Sequence, residues 1–129
     1  MPQARDVPTT VLLADDDPDY LEVMGELLEL NGLTVLTARS AAEVRTVLAA
    51  QEPDVLLVDR LLGKDDGEAL AREIAASASL RPRVALISGL STSPDEQAGF
   101  ASDGIAVFPK PVDVERLRVF CHGRQATSI

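Results

Sequence analysis

Length, composition and charge limit the number of domains and the kinds of partner that this chain can have. With 129 residues, of which 46% are hydrophobic and 26% charged, the chain suits one globular domain with one core. Twelve Lys and Arg against 21 Asp and Glu give a net charge of −9, which repels the phosphates of nucleic acids and of anionic membranes. A single cysteine, Cys121, excludes an internal disulfide, and the absence of a signal-peptide or membrane-spanning pattern agrees with a cytoplasmic protein.

Five short apolar runs alternate along the chain with segments of helical periodicity. The runs mostly lack polar alternation, which is typical of strands covered on both faces. The helical segments begin at capping residues or capping boxes, namely Asp17, Ser40–Glu43, Asp66 and Ser93–Glu96. Five βα units in this order predict an α/β fold, a doubly wound five-stranded parallel sheet with helices on both faces. The predicted strands are 10–14, 34–38, 54–58, 83–87 and 105–108.

The predicted domain covers residues 9–122, between a flexible N-terminal tail at 1–8 and a C-terminal tail at 123–129. Its weakest element is the fourth helix, 95–102, which is short and contains Gly99. Glycine destabilises a helix by about 1 kcal/mol relative to alanine. We therefore expect this helix to be mobile.

Polar side chains follow four of the five predicted strands. Asp15 and Asp16 end the first strand and Asp59 ends the third, while Ser88 ends the fourth and Lys110 follows the fifth. Because ligands of open parallel sheets bind beyond the carboxyl ends of the strands, we expect these side chains at one edge. Three carboxylates within about 5 Å repel by roughly 3 kcal/mol per pair at an effective dielectric constant of about 20, which favours a bound divalent cation. Oxygen ligands without Cys or His favour Mg²⁺, and a carboxylate beside a lysine and a hydroxyl could accept a phosphoryl group.

Motifs in a fixed order resemble the receiver domains of two-component response regulators over nearly the whole chain. Acidic residues follow the first strand, an Asp-containing motif follows the third, and Ser-Gly and Lys-Pro pairs end the fourth and fifth. The segments that carry the resemblance are Val11–Pro18, Val55–Gly67, Leu86–Gly89, Gly104 and Lys110–Pro111. The resemblance implies a flavodoxin-like three-layer sandwich with strand order 2-1-3-4-5.

The resemblance also implies a function for the acidic residues. Asp59 would accept a phosphoryl group from the phosphohistidine of a sensor histidine kinase or of a histidine phosphotransfer protein. Asp16, Asp59 and the carbonyl of Leu61 would ligate Mg²⁺, and Asp15 would act on the ion through a bound water. Ser88 would follow the phosphoryl group and Lys110 would contact it.

The function implied by the resemblance is a signalling switch rather than an enzyme. Such a domain catalyses only its own phosphorylation and dephosphorylation. It would act through a phosphorylation-controlled interaction with a downstream protein, for which a phosphorylation-dependent dimer is one form. A DNA-binding output and membrane contact are not expected. The Lys110–Pro111 bond would be cis, which is tolerable only before proline.

Several positions depart from the family pattern. Val107 stands where many relatives have the Tyr or Phe of a rotameric switch, which puts aromatic gating in doubt, and Gly63 stands where many have proline. Ser88 replaces the commoner threonine. Leu61 and Leu90 occupy two positions that influence how water reaches the phosphoryl group, and their apolar side chains predict a long-lived aspartyl phosphate.

Other interpretations of the acidic residues stay open. The run Asp15–Asp19 alone is typical of a solvated helix start, and it imitates a calcium loop except that Tyr20 stands where that loop requires glycine. A hydrolase of the haloacid dehalogenase kind also uses an aspartate with Mg²⁺, but its signature is half met and no cap domain fits this length. A receiver-like module that is never phosphorylated is a third class. A receiver from a hybrid histidine kinase or a longer regulator is a further alternative, although Met1 and the short C-terminal tail favour a free-standing chain.

Two residues near the C-terminus are interpreted as structural. His122 is predicted to be an exposed bystander, because no strand brings it to the acidic edge. Cys121 is predicted to pack as a small apolar residue with Val114 and Leu117 on the last helix.

Overall fold

Residues 9–80 and 82–126 are described by a computed structural model of the chain, so the predicted tail at 1–8 lies outside the described residues. The strands are β1 (Thr10–Ala14), β2 (Thr34–Ala38), β3 (Val55–Asp59), β4 (Leu61–Leu62), β5 (Asp65–Asp66), β6 (Arg83–Ser88) and β7 (Ile105–Pro109). The helices are α1 (Pro18–Leu30), α2 (Ala41–Ala50), α3 (Gly67–Ala76), α4 (Pro94–Ser102) and α5 (Val114–Ala126). Five strands pair in parallel in the order β2-β1-β3-β6-β7, which confirms the predicted fold and strand order. None of the helices within the described residues has the length and apolarity to cross a bilayer.

The sheet buries a layer of side chains on each face, because successive strand residues point to opposite sides. On one face, Leu56 packs in a core that includes Phe100 of α4. On the other face, Leu57 packs in a second core that includes Leu117 of α5. All five residues of β3, the central strand, are buried. The backbone that carries Asp59, at the end of β3, is therefore held between two packed cores.

Local hydrogen bonds account for where the helices begin. At α4 the predicted capping box is complete, since Ser93 accepts from the Glu96 N–H at 3.1 Å and the Glu96 carboxylate accepts from the Ser93 N–H at 3.0 Å. At α2, Ser40 accepts from the Glu43 N–H, but the Glu43 carboxylate accepts from the Arg39 N–H at 2.8 Å. The predicted box at Ser40 is therefore only half formed. The other predicted caps that the structure confirms are Asp17 and Asp66.

Two segments differ from the sequence prediction. An antiparallel hairpin of β4 and β5 lies between β3 and α3, where no strand was predicted, and Gly63 makes its turn with a φ of +62°. Helix α5 continues to Ala126, four residues beyond the predicted domain boundary at 122, so the first part of the predicted tail is helical. Gly123 is a single helix-weakening residue, and Arg, Gln and Ala follow it with good helix propensity. Residues 127–129 lie outside the described residues.

The C-terminal helix also changes one side-chain interpretation. His122 is half-buried rather than exposed, and its Nε2 lies 3.3 Å from the carbonyl oxygen of Asn31, the C-cap of α1. It is not among the residues of the acidic edge described below. Cys121 is buried in the same core as Leu117, as predicted, and this burial raises the pKa of its thiol to about 11.

Helix α4 is held by few contacts. Phe100 is its one buried residue. A guanidinium nitrogen of Arg60 lies 3.7 Å from the Glu96 carboxylate, and Arg72 pairs with Asp103 at the other end of the helix. The predicted mobility of α4 stays a prediction, and this sparse burial supports it. The backbone before α5 confirms the cis bond between Lys110 and Pro111.

Candidate functional site

The parallel register brings the ends of the strands to the same edge of the sheet. Asp59, the last residue of β3, is paired with Ile87 of β6. Ser88, the last residue of β6, is paired with Pro109 of β7. Asp15 directly follows β1. The side chains that the sequence predicted to lie at one edge therefore do lie there.

An open pocket of about 410 Å³ lies at this edge, and we call it the acidic pocket. It includes the three predicted metal-binding acids and the predicted lysine, but not Ser88. Asp17, Tyr20 and Gly89 also line it and were not predicted as residues of the site. The signal that could have found Tyr20 is its place in the first turn of a helix that starts directly after the acidic run. The lining residues are Asp15, Asp16, Asp17, Tyr20, Asp59, Leu61, Gly89 and Lys110.

Lys110 is the one cation that lines the acidic pocket within the described residues. Its Nζ forms an ion pair with Oδ2 of Asp59 and lies 3.8 Å from Oδ2 of Asp15. Burial acts to lower the pKa of Lys110, but the bond to Asp59 and the charges of both carboxylates raise it overall. Lys110 is therefore a permanent positive charge that faces two buried acids.

Asp15 is the most deeply buried acid of the pocket, with 3% of its surface exposed. Burial, opposed by the Asp17 N–H and aided by the hydrogen bond and charge of Asp59, raises its pKa from 3.8 to about 6. The Asp17 N–H donates to Oδ1 of Asp15 at 2.9 Å, and Lys110 also favours the anion. These favourable contacts do not offset the loss of hydration. The ionised Asp15 carboxylate therefore has too little positive charge around it to compensate for its lost hydration.

Both oxygens of Asp59 are engaged. Oδ1 accepts the Leu61 N–H at 2.8 Å, and Oδ2 pairs with Lys110. The Leu61 N–H is available because the chain turns directly after β3 into the β4–β5 hairpin. The Asp59 side chain is only 9% exposed. Because both of its oxygens are bonded, the carboxylate is held at the acidic pocket in a fixed orientation.

Ser88 lies beside the acidic pocket rather than in its wall. The residue is 1% exposed, and its hydroxyl bonds to the backbone of Leu90, donating to the carbonyl at 3.2 Å and accepting from the N–H at 3.1 Å. Ser88 lines a separate cavity of about 240 Å³ together with Val107. The structure therefore places the predicted hydroxyl at the right strand end but bonded to its own loop.

The acidic side chains are not gathered into a preformed metal cluster. Across residues 9–80 and 82–126, no group of three or more His, Cys, Asp or Glu side chains is arranged to hold a metal ion. The donor types nevertheless fit Mg²⁺, because this ion commonly uses one or two carboxylates and keeps several waters, for which the open pocket has room. Asp16 is exposed and packs beside Gly63, whereas Asp15 and Asp59 are buried. The predicted ligands thus suit the ion without forming a closed cage.

Comparison with known proteins decides the family. The family model described as the response regulator receiver domain matches residues 11–121. The chain belongs to this family. Membership places the receiver domain in two-component signalling, and receiver domains are signalling switches that generally bind Mg²⁺ at the phosphorylation site.

Individual relatives agree with this family. The receiver domain is 33% identical over 110 residues to the transcriptional regulatory protein GlrR of Escherichia coli (strain K12), covering 85% of this chain and 24% of that protein. It is 29% identical over 107 residues to the response regulator MprA of Mycobacterium ulcerans (strain Agy99), covering 83% of this chain and 46% of that protein. The chain therefore spans about a quarter of the length of GlrR and just under half of the length of MprA.

A solved structure confirms the likeness of the fold. The receiver domain of Francisella response regulator 1452 superposes with a TM-score of 0.79 at 21% identity, covering 91% of this chain and 98% of that one. At this level of identity the likeness concerns the fold alone.

Proposed function

We propose that this receiver domain accepts a phosphoryl group on Asp59 and that the modification controls its interaction with a downstream protein. The observation that carries the proposal is the fixed Asp59 carboxylate, bonded to the Leu61 N–H at 2.8 Å and paired with Lys110 in an open pocket. Catalysis of phosphoryl transfer consists almost entirely of positioning and charge neutralisation, so a fixed carboxylate beside a cation has what the reaction needs.

The proposed reaction is an in-line displacement at phosphorus. A carboxylate oxygen of Asp59 attacks the phosphorus of a phosphohistidine and forms a P–O bond. The P–N bond breaks with its electron pair left on the imidazole nitrogen, which is neutralised by a proton from solvent. Lys110 already lies at Asp59, so its charge offsets the negative charge of the transferring group without a large movement. Ser88 would have to give up its bonds to Leu90 before its hydroxyl could reach that group.

The proposed direct Mg²⁺ ligands are Asp16, Asp59 and the carbonyl of Leu61, and Asp15 would act on the ion through a bound water. When bound, Mg²⁺ supplies positive charge at the oxygens of the transferring group. The raised pKa of Asp15 supports this proposal, because a buried carboxylate next to Asp59 is poorly stable as an anion with only one lysine nearby. Asp15 and Asp16 would supply the charge that attracts the ion.

The proposed partners follow from the family. The phosphoryl donor would be a sensor histidine kinase or a histidine phosphotransfer protein, and the receiver would catalyse only its own phosphorylation and dephosphorylation. The output would be a protein contact, with a phosphorylation-dependent dimer as one form of it. Direct contact of this domain with nucleic acid is not part of the proposed function, because its net charge of −9 repels phosphates.

The decisive experiment uses beryllofluoride, which mimics an aspartyl phosphate. We expect NMR shift changes around Asp59 when Mg²⁺ and beryllofluoride are added together, and we expect Asp59→Ala to abolish them. Asp19→Ala is the matched control, because it removes an exposed carboxylate at the start of α1 that does not line the pocket. The absence of any change in the native protein would refute the proposal and leave an unphosphorylated binding module.

Labelling with acetyl phosphate separates the switch from a hydrolase. A receiver takes up one phosphoryl group per chain on Asp59, detected as a mass increase that Asp59→Ala prevents. A hydrolase of the haloacid dehalogenase kind would instead turn over a general phosphomonoester many times per chain. Such turnover, if it depended on Asp59, would overturn the assignment as a switch.

The lifetime of the aspartyl phosphate should depend on Leu61. The Leu61 side chain is 65% exposed and lines the acidic pocket, where an apolar side chain gives no hydrogen bond to an attacking water. We expect Leu61→Gln to shorten the half-life roughly threefold to tenfold, which corresponds to about 1 kcal/mol of barrier. The half-life is measured as loss of label after acetyl phosphate is removed.

Leu90→Gln is the control for this measurement. The sequence suggested that Leu90 also limits water, but its side chain lines the cavity of Ser88 rather than the acidic pocket. It is 55% exposed, close to the value for Leu61, so the change in polarity at the surface is similar. We expect its half-life to stay within about twofold of the native value. An unchanged half-life in Leu61→Gln would contradict the prediction.

A further inference from the structure

Tyr20 is a residue of the acidic pocket to which neither the sequence motifs nor the proposed reaction gives a function. It is the third residue of α1 and lines the pocket together with Asp15, Asp59 and Lys110. Its hydroxyl oxygen is buried, and none of the described residues offers it a hydrogen bond. Buried polar groups without a partner are uncommon in folded proteins, and this hydroxyl makes no bond that would explain Tyr20, so the ring is the part of the side chain to consider.

The ring of Tyr20 lies against the ammonium group of Lys110. The Nζ atom is 5.1 Å from the ring centroid, which is within the range of a cation–π interaction. The same ammonium group pairs with Asp59 and lies 3.8 Å from Asp15, and the Lys110 side chain is 33% exposed. Lys110 is therefore enclosed by two carboxylates and one aromatic face.

An aromatic ring is well suited to hold a lysine that must serve a phosphoryl group. A third carboxylate at this place would bind Lys110 more firmly, but it would also repel the negative charge of the incoming group. The face of a ring attracts the cation without carrying a full charge. Burial raises the pKa of Tyr20, so its phenol stays neutral at physiological pH and adds no negative charge either.

We propose that Tyr20 is a positioning residue for Lys110, whose ring holds the ammonium group beside Asp59 so that it faces the phosphoryl group during transfer. The part that concerns phosphoryl transfer rests on the proposed function. The part that concerns the place of Lys110 does not, because the contact exists in the protein without any ligand. The two parts are tested separately.

A merely structural tyrosine would give some of the same signals. Tyr20 also packs against the core that contains Leu13 and Leu57, so its removal can disturb packing without any effect through Lys110. The informative variants are Tyr20→Phe, which keeps the ring, and Tyr20→Leu, which keeps an apolar side chain but removes the ring. Lys110→Met provides a background in which the ring has no cation to hold.

The first measurement uses the full chain without metal or phosphoryl donor. The ring current of Tyr20 should shift the Lys110 methylene protons upfield, and we expect this shift to persist in Tyr20→Phe and to vanish in Tyr20→Leu. The NMR spectra of the remaining residues report whether each variant is folded. Lys110 resonances that are the same in the native protein and in Tyr20→Leu would overturn the proposal, whatever the outcome for phosphorylation.

The second measurement is the rate of labelling by acetyl phosphate in a double-mutant cycle. We expect Tyr20→Leu to slow labelling about threefold to tenfold when Lys110 is present, because a cation–π contact of this kind is worth about that much. In the Lys110→Met background we expect Tyr20→Leu to slow labelling by less than about twofold. Tyr20→Phe should restore most of the rate. Equal slowing in both backgrounds would mean a packing effect, and a Tyr20→Phe variant as slow as Tyr20→Leu would mean that the hydroxyl matters rather than the ring; either result refutes the proposal. If the native protein takes up no label, the proposed function fails, while the first measurement still tests the contact.

Discussion

Gly67→Ala is expected to lower the free energy of unfolding by about 3 kcal/mol or more, which is a severe effect for one added methyl group. A Cβ atom at this position would lie 1.8 Å from the carbonyl oxygen of Asp59 and 2.9 Å from that of Arg60. Both obstacles are backbone atoms, so no side-chain rotation can relieve the overlap. Either α3 or the end of β3 has to move.

The neighbouring structure resists such a movement. The Gly67 N–H donates to the Arg60 carbonyl at 3.0 Å, and the Arg60 N–H donates to the Ile87 carbonyl of β6 at 2.8 Å. The end of β3 is thus bonded to both α3 and the next strand. Because Asp59 lies at this point, a shift would also move the proposed phosphoryl acceptor away from Lys110.

Urea denaturation checks this prediction against a matched glycine. Gly99→Ala makes the same change in α4, where an added Cβ meets nothing within 4 Å. There the substitution should raise stability by up to about 1 kcal/mol, because alanine favours the helix. Opposite signs for the two variants are the expected result. A loss below about 1 kcal/mol for Gly67→Ala would show that α3 can withdraw from β3 easily, contrary to the argument from packing.

The same glycine illustrates what the sequence could predict and what it could not. Apolar runs and helix caps are local signals, so the strands, the helix starts and the edge that carries Asp15, Asp59 and Lys110 could be predicted. The contact of Gly67 with the Asp59 carbonyl joins residues of two packed elements, and only the shape of the fold reveals why glycine stands there. The hairpin Leu61–Asp66 was missed because strands of two residues have no periodicity.

Side-chain orientation was the least predictable part of the site. The sequence placed Ser88 at the correct strand end, but the choice of its hydroxyl between the pocket and the Leu90 backbone depends on how the following loop folds. In the sequence, Tyr20 indicates only that the acidic run is not a calcium loop. Its contact with Lys110 depends on how α1 packs beside the loop after β7, which no spacing in the sequence specifies.

Asp15→Asn is expected to stabilise the metal-free protein by about 3 kcal/mol near neutral pH. The pKa of Asp15 is raised from 3.8 to about 6, and two pKa units correspond to about 3 kcal/mol of penalty for the buried anion. Asparagine has nearly the same shape and can still accept the Asp17 N–H through Oδ1. It loses the attraction to Lys110, 3.8 Å away, but this attraction does not offset the penalty of burial.

The pH dependence identifies the cause. Below about pH 4, Asp15 is protonated in both the folded and the unfolded chain, so the variant should differ little from the native protein. Between about pH 4 and pH 6 the unfolded chain releases its proton first, and the native protein loses stability that the variant keeps. Above about pH 6 the difference should stay constant. Urea denaturation in EDTA across this range measures it, and a difference that is independent of pH would contradict an origin in ionisation.

Asp16→Asn makes the same substitution at the exposed neighbour and should change stability by less than about 0.5 kcal/mol without metal. Addition of Mg²⁺ should then reverse the advantage of Asp15→Asn, because the ion stabilises only a protein that binds it and the variant has lost a negative charge that attracts the ion. If the variant is equally stabilised by Mg²⁺, Asp15 takes no part in the metal site. A carboxylate that weakens the fold by itself and strengthens it with a cation has a reason to be buried at this edge, and that reason is function rather than stability.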